Sequence, residues 1–273
     1  MALCPSRARG RRPELPIAEV PRLLPLELDG PRTHRPKWVV LSPTADPFTP
    51  NAAYDLGPVA LEVMGQLLAR GIGVTVMTRG GLPHADGLVT MARRYPGLVR
   101  VEIGMFSSDP ALRQVWERGV AEPSARMGLL GAAAAAGADV GLRVGPIVPL
   151  VNDGERDLRK LVRAAAARGA RTVAPMWVED APGLVAQVSR EVSRGKARAL
   201  DGWLAAGGRA GGGRRRLSES VRRARLERLL GVARPLGIHV PVCACSVPEG
   251  HERCVVGPRS LPERNQIELF QTA

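Results

Sequence analysis

From Lys37 onward the chain alternates between short apolar runs and amphipathic stretches, and this alternation constrains the fold more than any other feature. The runs lie at Trp38–Leu41, Gly73–Thr78, Leu98–Phe106, Asp139–Val148 and Arg171–Val178. They have the length and composition of buried strands. Helical patterns separate them at Leu56–Arg70, Gly81–Tyr95, Asp109–Glu117, Pro123–Ala136 and Asp153–Arg168. One strand and one helix per roughly thirty residues is the βα unit, which predicts an α/β protein with a parallel sheet. Five strands fall short of the eight in a closed barrel. A partial barrel and a doubly wound open sheet both satisfy this pattern.

The flanks differ from this core, which spans 37–180. Residues 1–36 hold a basic run from Arg7 to Arg12 and a high density of Pro and Gly. They read as an irregular arm with a short helix around Ile17–Leu28. After Ala181 a helix near Leu184–Leu204 leads into a glycine-rich linker, Gly207 to Gly213, followed by Arg214-Arg215-Arg216. A basic helix then runs from Ser218 to about Leu236. Residues 181–236 thus form a basic helical extension, and 237–273 a cysteine-bearing tail.

The formal net charge is +13 and the isoelectric point is near 11.0, a balance that favours a polyanionic partner, nucleic acid first. Only Lys37, Lys160 and Lys196 are lysines, however, and so Arg-heavy a composition also arises from GC-rich coding without functional demand. The region 190–228 concentrates the basic residues, and it fits either a phosphate-backbone contact or a solvated helix face. Aromatic residues make up 3% of the chain, too few to suggest a base-stacking platform. No apolar segment follows the basic N-terminus as in a secretory leader, and no run is long enough to span a bilayer. The expectation is a cytoplasmic protein with no membrane partner. Of the four cysteines, Cys243, Cys245 and Cys254 crowd into the tail, which points to metal or redox chemistry rather than a disulfide framework.

Four segments stand out in order: Leu41 to Pro50 (LSPTADPFTP), Val74 to Arg79 (VTVMTR), Trp116-Glu117 with Arg126-Met127, and Val140 to Asp153 (VGLRVGPIVPLVND). In sequence and spacing they resemble the radical S-adenosylmethionine superfamily, in its spore photoproduct lyase-like (DNA repair photolyase-like) branch. Together they cover about residues 20–180. The resemblance implies a partial (β/α) barrel, here with the first strand missing, and lyase-type reductive cleavage of S-adenosylmethionine extending to nucleic-acid substrates. It also implies an electron donor and a [4Fe–4S] cluster held by three thiolates, the soft anionic ligands such clusters need. The family's C-x3-C-x2-C run, expected upstream of residue 20, does not occur in this sequence. Two readings follow: the start of the chain has been lost, or the protein is a relative without the radical cluster. The alternative function is a catalytically silent barrel that binds nucleic acid or a partner protein. An ordinary barrel enzyme with a structural metal in its tail is a third reading.

The resemblance also assigns residues, each with a plainer role beside it. Asp46 would line the substrate side, or form a turn before Pro47. Arg79 stands where the family places a lysine against the S-adenosylmethionine carboxylate, and a guanidinium is a capable carboxylate donor. Ser107 or Ser108 would bond the same ligand or cap the helix at Asp109-Pro110, capping being favoured for Ser108. Arg126 would reach the cofactor, with Glu117 as its ion-pair partner. Asn152 and Asp153 would contact the ligand or cap the helix that follows. In the tail, Cys243, Cys245, His251 and Cys254 form C-x-C-x5-H-x2-C, a donor set for zinc or for an iron–sulfur cluster, or else plain reduced thiols.

Overall fold

The structure, a computed structural model, describes residues 19–30, 36–41, 46–49, 55–209 and 213–242. Its centre is a five-stranded, all-parallel sheet of β1 (Trp38–Leu41), β2 (Gly73–Thr78), β3 (Val99–Met105), β4 (Asp139–Ile147) and β5 (Thr172–Trp177), paired in chain order. A doubly wound sheet reverses direction at a switch point. Here the order never reverses, so the winding is that of a barrel segment. All five strands coincide with the apolar runs to within a residue or two at each end.

Between the strands run α2 (Gly57–Ala69), α3 (Asp86–Arg94), α4 (Pro110–Trp116), α5 (Pro123–Ala135) and α6 (Glu155–Ala166), with α1 (Val20–Asp29) ahead of β1. Alternate strand residues (Val39 and Leu41, Val74 and Val76, Val101 and Ile103, Val140 and Leu142, Val173) bury against Met64, Leu67, Leu88, Leu129, Leu130, Leu161 and Val162 of the helices. Right-handed crossovers in sequential order put the helices on one face of the sheet, and this apolar layer is the principal core. Helix α9 (Glu219–Ala233) completes it. Leu226, Leu229 and Val232 join the same cluster, and the next segment pairs His239 in parallel with Thr172 at the edge of β5.

A second, smaller core sits past the C-terminal ends of the strands. Phe106, Val148 and Val178, which follow β3, β4 and β5, pack with Leu184 and Val188 of α7 (Leu184–Glu191) and Leu200 and Leu204 of α8 (Arg194–Ala206). The sequence predicts one helix over 184–204. The structure breaks it at Val192, because the Ser193 side chain accepts a hydrogen bond from the Lys196 amide and starts α8 afresh. The glycine-rich linker also differs from expectation in its described part. Arg209 bridges Arg215, and Arg216 bridges Glu179 beyond β5, so the segment folds back antiparallel onto the sheet end.

Candidate functional site

The face of the sheet turned away from the principal core carries the polar strand residues. Alternation places Trp38, Thr75, Met77, Arg100, Glu102, Gly104, Asp139, Gly141, Arg143, Gly145, Thr172 and Met176 there. Register sets Thr75, Arg100 and Asp139 side by side in one layer, Met77, Glu102, Gly141 and Thr172 in the next, and Gly104, Arg143 and Ala174 in a third. Toward the strand starts this face is plugged. The Trp38 indole lies over Gly73, where a Cβ would stand 1.9 Å from its ring, and donates to Thr75 Oγ1 at 2.7 Å.

Arg100 is fully buried and makes four contacts: Glu102 Oε1 through Nε at 3.1 Å and Nη2 at 2.9 Å, Thr172 Oγ1 at 2.8 Å, and Asp139. It reaches Thr172 by passing over Gly141, where a side chain would collide with Thr172 Oγ1 at 2.5 Å. The other carboxylate oxygen of Glu102 accepts from Arg143 Nη1 at 2.9 Å. Neither Arg100, Glu102 nor Arg143 stands out in the sequence when β3 and β4 are read as apolar runs. The signal is the strict alternation Val99-Arg100-Val101-Glu102-Ile103, which marks one dry face and one polar face.

At the C-terminal ends of the strands the predicted residues come together. Asp46, in the segment after β1, ties its own turn to the end of β2. Its Oδ1 accepts from Thr78 Oγ1 (2.8 Å) and the Phe48 amide (3.0 Å), and its Oδ2 from the Arg79 amide (2.6 Å). The bond to Phe48 is the turn-forming role. Arg79 runs across Gly104, whose Cβ would stand 3.0 Å from Arg79 Cγ, and donates to the Gly145 carbonyl at 2.8 Å. Burial, with repulsion from Arg126 and Arg143, pulls its pKa below the ordinary arginine value despite Glu117 and Asp46 nearby. Its side chain nonetheless stays 26% exposed.

Arg126 is fully buried and bonded to both carboxylate oxygens of Glu117 at 2.8 Å and to the Gly104 carbonyl at 2.7 Å. Asn152 splints two strand ends: Oδ1 accepts from the Val148 amide, and Nδ2 donates to the carbonyls of Phe106 and Pro146. Neither Asn152 nor Asp153 caps α6, whose N-cap is Gly154. Asp153 instead accepts from the Leu150 amide and ion-pairs with Arg225 of α9 at 2.5 Å. Ser107 and Ser108 are both tied to Asp157 of α6. The cap of α4 is Asp109, which accepts from the Ala111 amide, so Ser108 does not fill that role. Cys243, Cys245, His251 and Cys254 lie outside the described residues. Among the described residues no three His, Cys, Asp or Glu side chains are grouped to hold a metal.

With this geometry in place, solved structures decide the architecture. Spore photoproduct lyase complexed with dinucleoside spore photoproduct superposes with a TM-score of 0.58 at 16% sequence identity over 82% of this chain and 66% of that one. A variant of that enzyme with bound AdoMet and dinucleoside spore photoproduct gives 0.59 at 15% identity over the same shares. The chain has the fold of spore photoproduct lyase. The partial barrel is therefore the correct one of the two architectures left open by the strand count. Among curated proteins, uncharacterized proteins of Mycobacterium bovis and Mycobacterium tuberculosis are 32% identical over 146 residues, 51% of this chain and 42% of theirs. The match thus spans about two fifths of those relatives' length. No family model matches. Among the described residues no helix is long and apolar enough to cross a membrane.

Proposed function

We propose that this chain is a radical S-adenosylmethionine-type barrel that binds S-adenosylmethionine at the C-terminal mouth of its sheet and acts on nucleic acid. The observation that carries the reading is Arg79, a partly exposed guanidinium at the end of β2 with one hydrogen bond to a backbone carbonyl and N–H groups to spare. Its donor set fits the carboxylate of S-adenosylmethionine, and a partly desolvated cation binds an anion more strongly than a solvated one. When bound beside a reduced cluster, that molecule supplies hydrogen-abstraction chemistry.

The protein's own residues prepare the mouth. Asp46 fixes the Arg79 backbone, Gly104 gives the side chain its path, and Glu117 stands 3.8 Å from Arg79 Nη1 while holding Arg126. Ser107, Asn152 and Arg126, whose polar atoms other than Arg126 Nε are engaged inside the protein, enter this reading as positioning residues. The described residues supply no cluster ligands, and Cys243, Cys245, Cys254 and His251 are the donor set proposed for iron–sulfur or zinc. Nucleic acid is supported by Arg209 and Arg214, which line an open cleft of about 680 Å³ beyond β5, where Arg215 is already paired with Asp180 and Asp201.

The test is equilibrium dialysis of S-adenosylmethionine against the chain and its Arg79→Met variant, with anaerobic iron–sulfur reconstitution of the chain and a Cys243/Cys245/Cys254→Ala variant. The expected result is binding weakened at least tenfold by Arg79→Met, and iron uptake lost in the triple variant. Equal binding by both proteins would sink the cofactor site. No iron uptake combined with salt-steep DNA binding would leave a silent nucleic-acid-binding barrel.

A further inference from the structure

We propose that Arg143 is a second anion site on the inner face, taking a phosphate oxygen of the substrate. The inference rests on the reading above only for what occupies Arg79. Arg143 and Arg79 stand on the same face. Gly104 is the register partner of Arg143, Arg79 lies directly over Gly104, and it ends on Gly145, the next residue of β4 on that face.

The Arg100–Glu102 pair on this face is closed. Arg100 and Glu102 are 0% and 1% exposed and satisfy each other, whereas Arg143 keeps 22% of its side chain open. Among the described residues its one hydrogen-bonding partner is Glu102, through one of the five N–H groups that a guanidinium carries. Glu102 and Asp139 together balance Arg100 and Arg143 in charge, so what Arg143 offers a ligand is its unused N–H donors. The mouth therefore presents Arg79 and Arg143 with N–H groups to spare, between the half-buried side chains Met77 and Met176 on the same face. An oxyanion between apolar walls is the ligand that such a pair recognises, and guanidinium forks match phosphate geometry. Glu102 acts as a positioning residue that aims Arg143 from below.

The probes are inorganic phosphate, a dinucleotide with a single phosphodiester, and acetate, each added at fixed ionic strength to the full chain while thermal unfolding is followed. Wild type and an exposed control, Arg163→Gln, are expected to gain a saturable rise in midpoint with phosphate or dinucleotide. Arg143→Gln should lose that rise, and Arg143→Lys should keep part of it. A response to the dinucleotide at lower concentration than to phosphate identifies a phosphodiester, and the reverse identifies a free phosphate. A response to acetate alone, no response in wild type, or an undiminished response in Arg143→Gln overturns the proposal. These readouts are taken on the chain without S-adenosylmethionine, so failure of the cofactor reading leaves this result separately legible. Should Arg143→Gln not fold, the Nε–H resonance of Arg143 in the wild-type chain decides: a phosphate-dependent shift supports the site, and an unmoved resonance overturns it.

Discussion

Arg126 of α5 and Glu117 beyond α4 form a two-bond ion pair in which neither side chain has any solvent exposure. The pair is woven into β3 at both ends: Arg126 donates to the Gly104 carbonyl, and Glu117 Oε1 accepts from the Phe106 amide at 3.2 Å. It thereby fixes the strand end over which Arg79 lies. Removing one member strands the other as an uncompensated buried charge. Arg126→Met or Glu117→Leu alone should cost about 3–5 kcal/mol, while the double variant should cost much less than the sum. Urea unfolding of the two single variants and the double closes the cycle, and additive losses would show that the pair is not coupled.

The plug at the opposite end gives a steric prediction. A methyl group on Gly73 would occupy the space of the Trp38 ring, 1.9 Å from its Cε3. Gly73→Ala should displace the indole from Thr75 and destabilise the chain by about 1–3 kcal/mol, the usual range for overpacking. The double variant Gly73→Ala/Trp38→Leu should recover part of that loss, because the smaller side chain yields the space. Denaturation midpoints of the three variants decide it. A midpoint for Gly73→Ala equal to wild type would mean that Trp38 does not lie over this glycine.

Much of the fold is legible because each strand buries one face and ends at turn-forming residues, so length and apolarity locate all five. The same apolarity hid the inner face. Val99, Val101 and Ile103 dominate β3 to the eye, and Arg100 and Glu102 are visible only when the two-residue period is read as two surfaces. Asn152 shows the other limit. An Asn-Asp pair before a helix is the usual cap signature, yet here its amide meets three backbone groups from two strand ends, contacts created by the winding of the sheet rather than by neighbours in sequence. Likewise the break at Val192 depends on Ser193, a cap signal embedded in a pattern that is otherwise continuously helical.

Ser193 therefore makes a local prediction. Its hydroxyl accepts from the Lys196 amide at 3.2 Å, the one side-chain cap at the head of α8. Ser193→Ala should cost about 1 kcal/mol, and Ser193→Asp should restore the loss. Hydrogen exchange at the first turn of α8 reports it directly, and unchanged protection in Ser193→Ala would exclude a capping role.

Arg79 should behave in the opposite way from Arg126. Its charged form is opposed by desolvation on burial and by Arg126 and Arg143, and these lower its pKa in the folded chain. A group so shifted adds stability only as pH rises through its lowered folded value, and it adds none below that value. Between about pH 6 and about pH 9 both folded and unfolded chains keep the proton, so the cost of holding the charge is constant across that window. Arg79→Met gives up a hydrogen bond to the Gly145 carbonyl but relieves this cost. Its stability should stay within about 1 kcal/mol of wild type, with a difference that does not change over that window, while S-adenosylmethionine binding falls. A loss as large as that of Arg126→Met would make Arg79 a structural residue. Retained stability with lost binding would separate the binding cation from the buried pair beneath it.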